Sequence, residues 1–314
     1  MTNRSQLSRR SVLVSAPVVA SLSTGMLGPQ PAQAVARSGN TFYPAQTTWP
    51  DEPAFEPAAE GWIDADGARL WYQDSGGRGV PIVLLHASTG SAASWRYQQS
   101  SFSKAGFRVV TYSRRGHYRS TVEAPGKQVS GAADLLRVAR QLKLPRFHLL
   151  GTAAGGFTAM DFALSHPEHV RSLVIASSLA GIDDPEFKEV TKRLLTPEFL
   201  ALPPEIKELG PSYRALNARG TSRWIELEKS AAPSKPPLAS KENVINWATL
   251  GRLQPPTMFL TGDADLYMPP ALFTLLKPHL PGARYVVIAE AGHATSWEQP
   301  DAFNAAVLSF VRQH

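Results

Sequence analysis

The chain has 314 residues, 43% of them hydrophobic, and a formal net charge of +6. This length fits one large α/β domain or two small ones, and the mixed composition excludes a disordered or fibrous protein. The sequence contains no cysteine, which excludes disulfides, a thiolate nucleophile and cysteine metal ligands.

The first 34 residues contain the three parts of an export signal in the expected order. Residues 8–13 have the twin-arginine form SRRSVL, a moderately apolar stretch follows, and Ala32-Gln33-Ala34 matches an A-x-A cleavage site. The apolar stretch is too short and too mild for a transmembrane anchor. We therefore predict a signal peptide over 1–34, export by the twin-arginine route to the periplasm or the medium, and no stable membrane anchoring. A frayed basic N-terminus is the alternative.

The charge of the predicted mature chain argues against nucleic acid as a partner. The signal contains Arg4, Arg9 and Arg10 and no acidic residue, so its removal lowers the net charge from +6 to +3. The remaining sequence has no dense cluster of basic residues interleaved with aromatic ones, the pattern that is typical of nucleic-acid binding. We therefore expect no nucleic-acid partner.

Strand and helix patterns alternate along most of the remaining chain. Residues 35–60 include four prolines and predict an extended arm packed on the surface. Asp66-Gly67 predicts a hairpin turn. Helical spacing at 130–142 and 155–165, with a final helix capped by Asp301, completes a mostly parallel, doubly covered sheet. The predicted strands cover 62–65, 69–73, 82–86, 108–112, 147–150, 170–176, 257–260 and 284–288.

The alternation stops over residues 181–246, which are charged and dotted with prolines. Helical patterns cover 186–195, 204–209 and 221–230, and no strand pattern occurs. A long structureless loop is unusual inside a compact domain. We therefore predict a helical cap over 181–246, inserted into an α/β core formed by 61–180 and 247–314.

A turn of small residues follows the predicted strand at 147–150. Its spacing, Gly151-x-Ala153-x-Gly155, is that of the nucleophile elbow G-x-S-x-G, in which a sharp strand-to-helix turn lifts one side chain above the sheet. Here that side chain is a methyl group. The turn looks built for a serine that the sequence lacks.

Four motifs in order show a resemblance to the α/β-hydrolase superfamily, in its serine-hydrolase-like, capped form, over 61–314. Residues 84–95 are similar to the family's oxyanion loop and 112–120 to its arginine turn. Gly262-Asp263-Ala264-Asp265 matches the acid motif and Ala291-Gly292-His293 the histidine loop. The resemblance implies the α/β-hydrolase fold, a mostly parallel sheet covered on both faces with an inserted helical cap.

The resemblance also implies a role for each matching residue. His293 is the general base, Asp265 the acid that orients it, and Ala153 occupies the vacant nucleophile position. The expected oxyanion-hole donors are the backbone N–H groups of Ser88 and Ala154.

Several alternatives remain open at these positions. Asp263 is a rival for the acid, His293 can also be a solvated loop histidine, and Ser88 either contacts a ligand or bonds its own turn. His86 is expected to hold the oxyanion loop. Thr152 is one residue away from the elbow position and points elsewhere. Ala87, Ser113 and Tyr118 depart from the family pattern.

The missing serine leaves three interpretations. In the first, the protein is an enzyme in which His293, Asp265 and the oxyanion hole act on a small ester, lactone or diketone without an acyl-enzyme. In the second, the scaffold only binds a ligand, and its pocket is lined by side chains that otherwise pack the cap: Tyr213, Arg214, Trp224 and Trp247. In the third, Ala153 is an engineered replacement of serine.

Cofactors are not expected. The elbow glycines lack the spacing of a dinucleotide-binding loop and the lysine of a phosphate-binding loop. The histidines show no metal-ligand spacing. The partner that the sequence favours is a small-molecule substrate or ligand, while the identity of this molecule and the oligomeric state stay open.

Overall fold

The computed structural model describes residues 35–37, 39–123, 129–233, 236 and 239–314. The predicted signal peptide, 1–34, lies outside these residues. The described residues belong to one compact unit.

Ten strands of the described chain form a single sheet, in the order β1-β2-β10-β9-β8-β7-β5-β6-β4-β3. Neighbours from β2 to β6 along this order run parallel, whereas β1 and the hairpin of β3 and β4 are antiparallel additions at the two edges. The strands are β1 Val35–Arg37, β2 Asn40–Tyr43, β3 Ala59–Ala65, β4 Ala68–Asp74, β5 Pro81–Leu85, β6 Arg108–Tyr112, β7 Phe147–Thr152, β8 Val170–Ala176, β9 Thr257–Gly262 and β10 Arg284–Ile288.

Twelve α-helices and three short 3₁₀ helices, at Ala92–Trp95, Pro167–His169 and Pro270–Leu272, connect the described strands. The α-helices are α1 Arg96–Lys104, α2 Gly131–Gln141, α3 Ala154–Ser165, α4 Pro185–Lys192, α5 Pro197–Leu200, α6 Pro204–Glu208, α7 Pro211–Leu216, α8 Ala218–Ala231, α9 Trp247–Leu250, α10 Phe273–Leu276, α11 Thr295–Glu298 and α12 Pro300–Val311.

Helices cover both faces of the sheet, as the sequence predicts. On one face Leu135 of α2 and Phe162 of α3 belong to the larger apolar core. On the other, Phe102 of α1 and Phe303 of α12 belong to a second core. All residues of β5 and β9 are buried because their side chains meet helices on both faces, and this explains their continuous apolar sequences. The eight predicted strands are confirmed.

The region between β8 and β9 contains helices α4 to α9. Proline occupies the first position of α4 to α7, where its missing N–H costs no hydrogen bond and its fixed φ favours the helix. The prolines that interrupt the sequence pattern therefore start helices. The helical patterns predicted at 186–195, 204–209 and 221–230 correspond to α4, α6 and α8.

Two details differ from the sequence-based expectations. The predicted extended arm contains two strands, and Phe42 of β2 pairs with Val287 of β10, so this part of the arm extends the sheet. Asp301 does not cap the last helix. Helix α12 begins at Pro300, and its N-cap, Gln299, makes no side-chain capping bond. The backbone N–H of Asp301 donates instead to Gln46 of the arm, 3.2 Å away.

Candidate active site

The turn between β7 and α3 holds Ala153 in a strained conformation. Its φ is +47° and its ψ −118°, a region that L-residues rarely occupy and that costs on the order of 1–3 kcal/mol. The backbone N–H of Ala153 donates to the carbonyl of Ala176 (3.1 Å), and its carbonyl accepts the hydroxyl of Ser178 (2.6 Å). A Cβ on Gly155 would lie 2.1 Å from the carbonyl oxygen of Leu85, so this close approach requires glycine.

His293 and Asp265 form a hydrogen-bonded pair, although 28 residues separate them. The Nδ1 atom of His293 lies 2.9 and 3.0 Å from the two carboxylate oxygens of Asp265. Asp265 follows β9 and His293 follows β10, and these adjacent parallel strands bring both loops to the same edge of the sheet. Since Nδ1–H faces the carboxylate, we assign the lone pair of the neutral ring to Nε2.

Several donors hold the carboxylate of Asp265 in its ionised form. The backbone N–H groups of Tyr267 (2.8 Å) and Met268 (2.9 Å) donate to one oxygen. The hydroxyl of Thr261 donates to the other (2.9 Å). Burial opposes ionisation, but the charge of His293 and these hydrogen bonds outweigh it and lower the pKa of Asp265. Asp263, the rival acid, is exposed and is not paired with His293.

The ionised Asp265 also changes the basicity of His293. Burial alone lowers the pKa of this imidazole, but the charge and hydrogen bond of Asp265 outweigh burial and raise it. Glu208 and Glu298 raise it further. A histidine with a raised pKa is a stronger base, and its protonated form is stabilised by the carboxylate beside it.

A small cavity opens at His293. It offers about 50 Å³ of space to the centre of a water molecule, and one water needs roughly 10–15 Å³ by this measure. The cavity therefore has room for a few waters. Its lining comes from the loop after β5, from the end of β7, from α6 and α8, and from the histidine loop: His86, Ala87, Thr89, Gly90, Ser94, Trp95, Thr152, Glu208, Trp224, Leu227, His293, Ala294, Ser296 and Trp297.

Comparison with known proteins identifies the family. The family model described as the alpha/beta hydrolase fold matches residues 80–300. The chain belongs to the α/β-hydrolase family. This is the fold and the superfamily that the four sequence motifs predicted.

Named hydrolases are among the relatives of this α/β-hydrolase. It is 26% identical over 265 residues to a 2-hydroxy-6-oxononadienedioate/2-hydroxy-6-oxononatrienedioate hydrolase of Paraburkholderia phymatum, which covers 78% of this chain and 91% of that one. It is 29% identical to a putative carbamate hydrolase of Azorhizobium caulinodans, over 76% of this chain and 94% of that one. A thermophilic esterase of Thermogutta terrifontis aligns with a TM-score of 0.68 and 25% identity, covering 82% and 99% of the two chains.

The predicted oxyanion loop is only partly directed at the cavity. Ser88 is exposed, whereas its neighbours Ala87 and Thr89 line the cavity. His86 holds the loop through both ring nitrogens: Nε2 accepts the backbone N–H of Arg114 (2.9 Å) and Nδ1–H donates to the carbonyl of Ala87 (2.7 Å). Burial keeps the pKa of His86 well below its usual value. His86 is therefore a neutral side chain that holds the loop in place.

Other predicted residues lie at different places around the site. The prediction that Thr152 points elsewhere is wrong, because Thr152 lines the cavity at His293, whereas Ala153 is not among its lining residues. The buried Ala154 begins α3 and lines a different, smaller cavity. Of the predicted cap residues, Trp224 lines the main cavity, whereas the Tyr213 ring packs on Trp49.

Two further predicted cap residues, Trp247 and Arg214, are not among the lining residues of the main cavity. Trp247 packs on Phe187 and His279. Arg214 bonds the carbonyl of Leu209.

Sequence analysis missed one carboxylate in the cavity, that of Glu208. It is the last residue of α6, and the hydroxyl of Thr89 donates to its Oε2 (2.7 Å). Its carbonyl accepts the backbone N–H of Ala294 (3.0 Å), beside His293. Burial raises the pKa of Glu208, although the charge of His293 and the bond from Thr89 oppose this. Pro203-Pro204, the N-cap and the first residue of α6, marks the start of a helix but gives no sign of a functional carboxylate.

A second buried carboxylate fixes this arrangement. Glu298 accepts the backbone N–H groups of Gly292 (3.0 Å) and Gly210 (2.7 Å), and so ties the histidine loop to the residues that follow Glu208. A Cβ on Gly292 would lie 2.8 Å from the carbonyl oxygen of Glu208 and 2.4 Å from the nitrogen of Gly210. Glycine at this position therefore permits the close approach.

The described residues contain no group of three or more histidine, aspartate and glutamate side chains placed to hold a metal ion. No helix within the described ranges is long and apolar enough to cross a membrane.

Proposed function

We propose that this α/β-hydrolase hydrolyses a small carbonyl compound, an ester, a lactone or a β-diketone, by acid–base catalysis without an acyl-enzyme. The names of its hydrolase and esterase relatives support this substrate class. One observation carries the mechanism. A buried His293–Asp265 pair opens on a cavity of water size, while the strained elbow carries only the methyl group of Ala153.

In this proposal, water takes the part that the nucleophile-elbow motif G-x-S-x-G assigns to its serine. Ala153 has no lone pair with which to attack a carbonyl. In the proposed reaction, Nε2 of His293 accepts a proton from a cavity water as the water oxygen attacks the carbonyl carbon. The imidazolium is stabilised by Asp265. When the bond to the leaving group breaks, a proton passes to the leaving atom and the free acid and the leaving fragment depart.

The oxyanion that forms on the carbonyl oxygen needs hydrogen-bond donors. The first proposed donor is the backbone N–H of Ala154, at the N-terminus of α3 and the positive end of its helix dipole, although Ala154 itself lines the smaller cavity and not the one at His293. The second proposed donor is the backbone of the loop at Ser88. Such donors and substrate binding alone leave about 10³–10⁴-fold catalysis in a serine hydrolase stripped of its triad, so turnover without a serine is physically reasonable.

Glu208 is the proposed donor of the proton that the leaving atom receives. Glu208 lines the same cavity as His293 and Thr152, and burial favours its protonated form. After product release, the proton taken up by His293 returns to Glu208 through cavity water. The two groups thereby recover their starting states.

The test is a substrate panel of p-nitrophenyl esters, simple lactones and β-diketones, assayed with the wild-type mature protein and with His293→Ala. We expect kcat/KM to fall by about 10²–10⁴-fold in the variant, the range typical of a lost general base. His314→Ala, at the exposed C-terminus, is the control and should match the wild type. Equal activity in His293→Ala, or a tightly bound ligand with no turnover, would overturn the proposal, the latter in favour of a binding protein.

We further propose that the protein is exported through the twin-arginine route. The support is the sequence of residues 8–13 followed by the Ala32-Gln33-Ala34 motif. Cell fractionation of the full chain and of an Arg9→Lys, Arg10→Lys variant tests this. We expect the wild-type protein to be found outside the cytoplasm in its mature form and the variant to stay in the cytoplasm. An equal distribution of the wild type and the variant between the fractions would exclude this route.

A further inference from the structure

Arg114, which follows β6, is a buried guanidinium with unpaired donors. Only 7% of the residue is exposed, and its Nε and Nη2 atoms find no hydrogen-bond partner among the described residues. The next residue shows the contrast. The guanidinium of Arg115 makes a two-pronged ion pair with Asp134, with distances of 2.7 and 2.8 Å.

An unpaired buried charge is unfavourable, because the guanidinium loses its water and gains no counter-charge. Burial lowers the pKa of Arg114 to about 10, so the side chain still carries its charge at neutral pH. The same charge contributes to the lowered pKa of its neighbour His117, after burial. A bound anion close to the Arg114 guanidinium would therefore be stabilising.

Arg114 lines a cavity that is separate from the one at His293. The cavity also touches Ala154 and Phe157, in the first turn of the 12-residue helix α3. The N-terminus of a helix carries partial positive charge and favours anions. Ser240 and Lys241 close the other side. Two independent features, an unpaired guanidinium and a helix N-terminus, thus meet at one place.

One carboxylate, that of Asp161, also lines this cavity, and it does not neutralise Arg114. Its Oδ1 accepts the backbone and side-chain N–H groups of Asn243, each at 2.9 Å, and its Oδ2 accepts the backbone N–H of Glu242 at 2.9 Å. The Asp161 charge is therefore directed at the chain around Asn243 and away from the guanidinium.

The size of the cavity limits which anion can bind. It gives about 10 Å³ to the centre of a water-sized probe, which is roughly the space of one water. A sulfate or phosphate ion is too large for this space. We propose that the cavity binds a single halide ion, chloride under ordinary conditions, between Arg114 and the N-terminus of α3. The ion supplies the counter-charge of Arg114 and stabilises the turn that carries Ala153, and this holds whether or not the protein turns over a substrate.

Thermal unfolding of the mature protein tests the site directly. Sodium chloride is titrated at constant ionic strength against sodium sulfate, for the wild type, for Arg114→Met and for Arg137→Met, an exposed arginine on α2 that serves as control. A ligand at tenfold excess over its Kd multiplies the folding constant by about 11. The exchange of sulfate for chloride has a general salt effect on Tm that all three proteins share. Relative to Arg114→Met, we expect a saturable rise in Tm of about 2–5 °C for the wild type and the control.

Arg114→Met should also differ from the wild type in its stability without chloride. Because Arg114→Met removes an uncompensated charge, it should be more stable than the wild type in chloride-free sulfate, and this advantage should shrink as chloride rises. Parallel chloride responses of the wild type and Arg114→Met would overturn the proposal. Stabilisation of the wild type by acetate but not by chloride would also overturn it, since the site would then be one for carboxylates.

A direct measurement covers the case in which Arg114→Met does not fold. The ³⁵Cl NMR linewidth of chloride in the presence of folded wild-type protein reports exchange at a bound site. We expect excess broadening that bromide removes by competition and sulfate does not. If the ³⁵Cl line showed no excess broadening, or if sulfate removed the broadening as well as bromide does, the halide site would not exist.

Discussion

The hydroxyl of Thr89 lies 2.7 Å from Oε2 of Glu208. This hydrogen bond joins the loop after β5 to the end of α6 at the cavity that His293 lines. In a family whose reaction centre is usually described by three residues, the bond places a fourth, titratable group beside the base. Substitutions of Glu208, Asp265, Ala153 and Glu298 give four predictions.

Glu208→Gln should lower kcat/KM by about tenfold or more, because the amide cannot donate the proton that a protonated carboxyl gives up. In the wild type, activity should fall as the pH rises through the pKa of Glu208, which burial raises. This alkaline limb should be missing in the variant. Steady-state kinetics across pH measure both effects.

Glu205→Gln, on the same helix but outside the cavity lining, is the control and should keep the wild-type profile. Identical pH profiles of wild type and Glu208→Gln would assign Glu208 a purely structural role.

Asp265→Asn should lower the pKa of His293, because the carboxylate is the main group that raises it against burial. Activity should drop by about 10²–10⁴-fold, since the ring loses both its orientation and its counter-charge. The ring resonances of His293, followed by NMR through a pH titration, measure the pKa without any substrate. Asp263→Asn, which changes the exposed rival acid, should leave both quantities unchanged. If Asp263→Asn lowered the activity and the pKa of His293 while Asp265→Asn did not, the acid would have been misassigned.

Ala153→Ser should restore covalent chemistry. The turn already holds a non-glycine residue at φ +47°, so serine adds one hydroxyl to a half-buried position without a new backbone requirement. We expect the variant, and not the wild type, to be labelled by a fluorophosphonate probe, and the labelling should vanish when His293→Ala is added. An unlabelled Ala153→Ser that is folded would show that the elbow is not aligned with His293.

Glu298 should make folding stability depend on pH. Burial raises its pKa from 4.5 to about 8, so the folded protein holds this proton over a range in which the unfolded chain releases it. The contribution to stability is complete below about 4.5 and is lost as the pH rises towards 8. Tm should therefore fall by several degrees across this range, and less steeply in Glu298→Gln.

Glu228→Gln, on α8 and outside the site, should show the wild-type slope. Equal slopes for wild type and Glu298→Gln would mean that Glu298 is ionised in the folded protein throughout.

The strands could be predicted because their signals are local, and the central pair because the motifs of Asp265 and His293 resemble those of the family. A strand that is covered on both faces, such as β5, must be apolar along its whole length, and the loops of Asp265 and His293 follow such strands directly. Glycine at 155 is required by the backbone of Leu85, so the glycine spacing of the elbow is a local signal that does not depend on the residue at position 153.

The missed features depend on contacts that sequence spacing does not encode. Glu208 reaches the site only because α6 packs on the histidine loop around Gly292, 84 residues further along the chain. Strand β2 has little apolar pattern of its own and is defined by pairing with β10. Asp301 looks like a helix cap, but the helix already begins at Pro300, which leaves Asp301 in the first turn.

The most direct test of the central claim is the intact mass of the wild-type protein, quenched during turnover of its best p-nitrophenyl ester. We predict that product accumulates over many turnovers, that His293→Ala loses this turnover, and that the wild-type mass stays that of the free protein at every time point. A population shifted by the mass of the acyl group, or turnover that does not depend on His293, would contradict hydrolysis by water at a site without a nucleophile.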